Sequence, residues 1–343
     1  MELGISMFGD LRWDEANRNY QSSGKRMKEL LEEIKLMDEV GVDVFGIGEH
    51  HRPDYVISVP EILLAAAASV TKQIKLTSAV SVLSSSDPVR IFQSFSSIGL
   101  LSEGRSEITV GRGSFIESFP LFGFSLEDYE ELFTEKLELL LKLVNTKESF
   151  SWNGKHRASF VDQEVYPQPE MPLDVWIAAG GTPASVIRAA TLGLPLIFAI
   201  IGGMPAQYKP YFDLYKEEYI KAGHDLSKMQ IGTHSHGLLG VDGKVLSNDY
   251  FPLYKQQMDH IGASRGWQPY THEQFEGGRG KEGALFIGDA TEVVDKILYH
   301  QEMFGLTRWM MHMDLGAPSH STIMKSIELF GDKVIPAVKK AMV

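Results

Sequence analysis

The sequence predicts an α/β fold, a closed (β/α)8 TIM barrel with insertions. Three observations lead there. Eight short runs rich in Val, Ile, Leu and Phe are each followed by a stretch with helical spacing of apolar residues. Parallel strands need such helical crossovers to reach one another, and eight units favour a closed barrel over an open sheet. The 343 residues exceed the roughly 250 of a minimal barrel, and two aperiodic stretches near 145–172 and 262–284 account for the surplus. With no linker in view, the chain is expected to form a single domain, 1–343.

In order, Leu3 to Phe8 is the first strand and residues 10–24 are a polar loop. Lys25–Val40 places Met27, Leu30, Leu31, Ile34, Met37 and Val40 on one helical face, and Gly41 ends the helix. Val42–Ile47 is the second strand and stops on Gly48-Glu49-His50-His51. Pro60–Val70 is a helix, apolar nearly all round. Ile74–Leu83 is strand three. Asp87-Pro88 supplies an N-cap and first-turn proline for a helix over 89–101. Ile108–Val110 is strand four, followed by Gly111-Arg112-Gly113-Ser114, and Leu126–Val144 is a long amphipathic helix. Residues 145–171 read as an inserted hairpin. Asp174–Ala178 is strand five, with Thr182 capping a helix to Leu192. Leu194–Ile201 and Met229–Gly240 are strands six and seven, with helices over 205–222 and 244–261. Residues 262–284 lack periodicity, as a mobile active-site segment would. Asp289 and Glu292 make a capping box for an extra helix to Phe304. Leu306–Met313 is strand eight, and 319–341 carries the last helix.

Composition narrows the function classes. Net charge is −12 with Lys and Arg scattered, and no basic stripe marks a nucleic-acid or anionic-membrane surface. Cysteine is absent, which excludes disulfides, thiolate metal sites and Cys nucleophiles. The first residues lack a basic, long-apolar leader, and no apolar run approaches the ~18 residues of a spanning helix. A cytoplasmic protein is expected.

In a barrel, the residues just after the strands share one rim, where chemistry gathers. That rim collects His50 and His51, Ser84 to Ser86, Arg112, the Gly180-Gly181-Thr182 turn, and His234 or His236. The turn offers bare backbone donors and a helix N-terminus, which suit a phosphate. Arg112 offers a guanidinium fork for the same anion. The bland alternative is a well-capped tight turn beside a solvated arginine. His50 is a candidate acid, base or hydrogen-bond donor, with Glu49 placed to orient a neighbour. The pairs His50–His51 and His234–His236 also raise a metal-dependent hydrolase. Few carboxylates at strand ends, Glu49 and Asp314, speak against it, and no metal is expected.

At this point the residues resemble a family, the bacterial luciferase-like flavin-dependent monooxygenases, over nearly the whole chain. The matching pieces are Gly-Ile-Gly-Glu-His-His (46–51), Thr-Ser-Ala-Val-Ser-Val-Leu (77–83), Asp-Pro-Val-Arg (87–90), Gly-Arg-Gly (111–113), Ala-Ala-Gly-Gly-Thr (178–182) and Gly-Leu-Pro-Leu (193–196). The resemblance implies reduced FMN, supplied by a separate flavin reductase, used with dioxygen on a small organic substrate. It makes His50 the counterpart of the catalytic histidine and gives the flavin phosphate to Arg112, Gly180, Gly181 and Thr182. It further implies a non-prolyl cis peptide at Ala79-Val80, beneath the flavin ring. One departure stands out. Luciferase carries a reactive cysteine after strand four where this chain has Gly111, so luminescence is not implied. A deazaflavin-dependent hydride-transfer enzyme on the same fold is the alternative. Finally, the apolar helix 60–70 and its neighbour with Ile91, Phe92, Phe95 and Ile98 predict a homodimer.

Overall fold

The computed structural model describes residues 1–14, 17–113, 115–263 and 265–342. Eight parallel strands close into a barrel: β1 Glu2–Met7, β2 Val44–Ile47, β3 Lys75–Ser78, β4 Ser106–Gly111, β5 Val175–Ala179, β6 Leu196–Ala199, β7 Ile231–Leu239 and β8 Arg308–His312. Closure is made by β8 on β1, in a register running from Glu2 opposite Arg308 to Ser6 opposite His312. Outward-facing residues of the strands, among them Leu3, Ile5, Phe45, Leu76 and Ile108, pack under the helices in one continuous core. A second, smaller apolar layer of Val44, Trp176, Ile197 and Met310 fills the barrel interior. The two layers follow from the period-2 alternation of strand side chains.

Below that layer the N-terminal mouth is closed by charge. Arg308, 1% exposed, pairs with Glu2 and Glu107, and Lys75 pairs with the same two carboxylates. The Arg308 guanidinium also lies 4.0 Å over the Trp176 ring. Buried ions persist only when paired this fully.

Most elements lie where the sequence places them. Asp87 accepts from the backbone N–H groups of Val89 and Arg90, Gly41 is left-handed at φ +84°, and the inserted hairpin pairs Phe150–Trp152 with Phe160–Gln163. The capping box of Asp289 and Glu292 is formed. Strand three differs: it breaks after Ser78 and resumes at Ser81–Val82.

Residues 262–284 overturn the expectation of an aperiodic segment. His272–Arg279 is a helix with its own capping box, Thr271 and Gln274, and Phe275 is fully buried against Tyr254. A short strand, Phe286–Gly288, then extends the sheet beside the end of β7. Ser264, like Ser114 of the glycine-rich turn, lies outside the described residues. The apolar face named for a partner is also corrected. Ile91, Phe92, Phe95 and Ile98 are buried within this chain, and the exposed apolar side chains nearby are Val59, Ile62, Val70, Leu100 and Leu101.

Candidate active site

At the C-terminal ends of the strands lies a cavity of about 300 Å³ to which all eight strands or their extensions contribute. Its lining includes Phe8, His50, Ala79, Val80, Arg112, Gly180, His234 and Met310. Segments more than a hundred residues apart in the chain, the Glu49-His50 strand end and the Gly180 bend, therefore face one space.

His50 is held rigidly. Its backbone N–H donates to Ile57 O at 2.8 Å. Its ring stacks on Tyr55 at 4.4 Å and meets Phe8 and Phe115 edge-on. Neither ring nitrogen has a hydrogen-bond partner. A buried polar group without a partner is costly, so these nitrogens are groups a ligand can satisfy. Burial pushes the imidazole pKa down to about 3, with Asp54 opposing and Arg52 and His51 adding to the fall. His51 turns away: its Nε2 meets Glu49 Oε1 at 2.9 Å and its ring abuts Phe122. Glu49 accepts from the Val82 N–H through its other oxygen at 2.8 Å, tying the second strand end to the third. The two adjacent histidines thus diverge and do not form the convergent set a metal hydrolase needs.

Ala79 and Val80 are joined by a cis peptide bond, as the resemblance implies. They press into the barrel between two glycines. A Cβ on Gly46 would lie 2.9 Å from the Ala79 Cβ, and one on Gly111 would lie 2.8 Å from Val80 Cγ2. This is a steric reason for glycine at position 111: beside Val80 there is no space for a larger side chain. The wall so formed is apolar.

Across the cavity, Gly180 borders empty space. A Cβ built there meets no atom within 4 Å, although the residue lines the cavity. Gly181 is left-handed at φ +101°, and neither it nor Thr182 lines the cavity itself. Thr182 occupies the N-cap position of the Pro183–Thr191 helix, but its hydroxyl makes no backbone cap. It donates instead to Ser185 Oγ at 2.9 Å and accepts from Arg112 Nη2 at 3.3 Å. Arg112 and Arg188 both reach the Glu130 carboxylate. Sequence reasoning missed Arg188 and Glu130, because only the folded chain brings helix 129–145 against helix 183–191. In this arrangement the Glu130 carboxylate stands where an anion between two guanidiniums would sit. For the flavin that the resemblance implies, we expect Gly180→Val to leave the fold intact while lowering affinity more than about tenfold, because the new side chain enters the cavity. Unchanged affinity by fluorescence titration would count against the cradle.

A family model described as luciferase-like monooxygenase matches residues 1–307. The uncharacterized protein y4vJ of Sinorhizobium fredii is 24% identical over 343 residues, covering 95% of this chain and 96% of that one. The F420-dependent glucose-6-phosphate dehydrogenase of Amycolatopsis mediterranei is 28% identical over 177 residues, 47% of this chain and about half (51%) of that protein's length. Among solved structures, monooxygenase RslO1 from Streptomyces bottropensis superposes with a TM-score of 0.85 at 21% identity, over 98% of this chain and 99% of that one. The oxygenating constituent of 3,6-diketocamphane monooxygenase from Pseudomonas putida, a type II Baeyer-Villiger monooxygenase in complex with FMN, gives 0.74 at 20% identity over 98% of each chain.

Proposed function

This chain belongs to the luciferase-like monooxygenase family, and from that premise we propose that it is a monooxygenase taking reduced FMN and dioxygen to a small organic substrate. The observation that carries this reading is that these groups share one cavity. An unpartnered imidazole, an apolar wall at Ala79-Val80 and an unfilled glycine cradle face one another across it, with Arg112 at its edge. The residues fit the group: a flat ring against Ala79-Val80, a tail at Gly180, and a phosphate at Arg112 and Thr182, where it would take the place of the Glu130 carboxylate.

Reduced FMN, when bound, supplies the electrons that activate dioxygen. The protein does the rest. His50, neutral because buried, holds or passes a proton at a ring nitrogen facing the cavity. Phe8, Tyr55 and Phe115 fix that ring and keep water from it. Glu49 positions the strand end that carries it. A separate reductase would deliver the reduced cofactor. The exposed Val59, Ile62, Val70, Leu100 and Leu101 support a homodimer through helices 60–68 and 88–101; sedimentation as a monomer at micromolar concentration would refute it. Among the described residues no helix is long and apolar enough to cross a membrane. A cytoplasmic location is part of the proposal, and a chain without cysteine fits that reducing compartment.

The test is anaerobic titration with reduced FMN. We expect Arg112→Ala to raise Kd by roughly 10- to 100-fold, the worth of a lost hydrogen bond to a charged group. Equal binding by variant and wild type removes Arg112 from the phosphate site. The F420-dependent relative favours a second reading, hydride transfer from a deazaflavin without dioxygen. Tighter binding of reduced F420 than of reduced FMN, with no oxygen uptake, would select it.

A further inference from the structure

Behind the cavity runs a file of buried polar groups that the reading above leaves unused. His234, on β7, lines the cavity, and its Nε2 pairs with the Ser6 hydroxyl on β1. That engagement leaves Nδ1 for the cavity. Ser6 Oγ also lies 3.4 Å from Nδ1 of His312 on β8. On the far side of that ring, His312 Nε2 is buried without a hydrogen bond, 3.5 Å from Asp314 Oδ1, and Oδ1 of Asp10 is likewise buried without a partner. Asp10, His312 and Asp314 present side-chain atoms within 4.8 Å of one another, a span one water molecule bridges. Asp10 in turn borders a second, surface groove lined by Arg12, Gln21, Lys25, Glu29 and Ser319.

We propose that Asp10, His312, Ser6 and His234 form a proton relay that carries protons from this groove to the cavity. The proposal rests on the oxidoreductase reading, since either cofactor chemistry there consumes or releases protons.

Each group gains one proton and loses one. The Asp10 carboxyl O–H gives its proton to the bridging water, which passes one of its own to His312 Nε2, and the His312 Nδ1–H bond breaks as Ser6 Oγ takes that proton. The Ser6 hydroxyl hydrogen passes to His234 Nε2, and the His234 Nδ1 proton leaves for an acceptor in the cavity. Asp10 is reprotonated from the groove; when product leaves and water enters the cavity, a water proton adds to His234 Nδ1 and the hops run in reverse, which returns both imidazoles to their first tautomers and one proton to the groove. At no point does the file need a buried imidazolium, which burial of both rings disfavours.

The surroundings suit these roles. Asp314 is committed: its oxygens accept from the backbone N–H groups of Phe8, Gly9 and Asp10 and from Arg26. Burial and that neighbouring carboxylate push the Asp10 pKa well up, against the Gly316 N–H and Arg26, which favours the proton-donating form. Asp54 adds to the rise. Around His312, the rings of His234 and His236 lie 5.4 Å away, and Phe8 stands between it and His50. His236 is engaged by Tyr254 and is not part of the file.

Two measurements decide. In the purified full chain, ¹⁵N NMR should find His312 and His234 neutral with the proton on Nδ1; a resting His312 protonated on Nε2 overturns the relay, whether or not flavin binds. In single turnovers with reduced FMN, dioxygen and a pH-indicator dye, Asp10→Asn and Ser6→Ala should slow the proton-coupled step by on the order of 100-fold, with flavin Kd unchanged. Small acids such as formic acid should restore Asp10→Asn, which borders the groove, and not Ser6→Ala, which is internal. Wild-type rates in a folded, flavin-binding Asp10→Asn protein overturn the relay. A wild type that binds no reduced flavin refutes the functional reading instead, and the tautomer measurement then decides the relay alone.

Discussion

On acidification the protein unfolds well above pH 4, in a steep transition that takes up several protons. Burial holds the folded-state pKa values of five histidines down: His50, His236 and His300 to about 3, His234 to about 4, and His312 well below the ordinary imidazole value. The unfolded chain titrates them near 6.5. A histidine whose folded pKa is depressed contributes full stability above its unfolded pKa and loses it as pH falls toward the folded value. Each group then removes about 1.4 kcal/mol per pH unit. Five together would consume a typical stability of about 5–15 kcal/mol within one to two units, placing the midpoint near pH 4.5–5.5. Asp10 and Glu33, whose pKa values burial raises, take up protons more readily folded than unfolded and so soften the slope without reversing it. Circular dichroism against pH checks this; a native signal at pH 3.5 would contradict it.

His50→Ala is expected to lower turnover by about 10²- to 10⁴-fold, the usual range for a positioned proton donor or acceptor, while flavin Kd changes less than about threefold. The two effects separate because His50 faces the cavity from the strand end opposite the Gly180 bend. Its depressed pKa adds a second signature. Between pH 6 and 9 the ring stays neutral, so kcat/KM should show no inflection near 6.5 assignable to it. Wild-type turnover in His50→Ala, or an inflection near 6.5 that the substitution removes, sinks the assignment.

Sequence reasoning reached the barrel because each strand is an apolar run that stops on polar residues, and those stops became the rim. Arg112, Gly180 and His50 were legible for that reason. The cis bond at Ala79-Val80 came only through family resemblance, since composition and spacing carry no trace of ω. The partners Arg188 and Glu130 sit on two helices whose contact is purely tertiary. His272–Arg279 was missed although Thr271 and Gln274 spell a capping box; the many glycines and charges around them masked it. The apolar side chains of helix 88–101 misled for another reason. Helical spacing says which residues share a face, and not whether that face meets the chain's own barrel or the outside.

The ionic floor of Glu2, Lys75, Glu107 and Arg308 clamps the first and last strands to the third and fourth at the end away from His50. Circularity of the sheet is therefore secured where no reaction occurs. The opposite end is relieved of that duty, and can carry an unfilled slot, lone imidazoles and glycine gaps that would weaken a scaffold asked to hold itself shut there. Reshaping the rim for a different small molecule leaves the lock untouched.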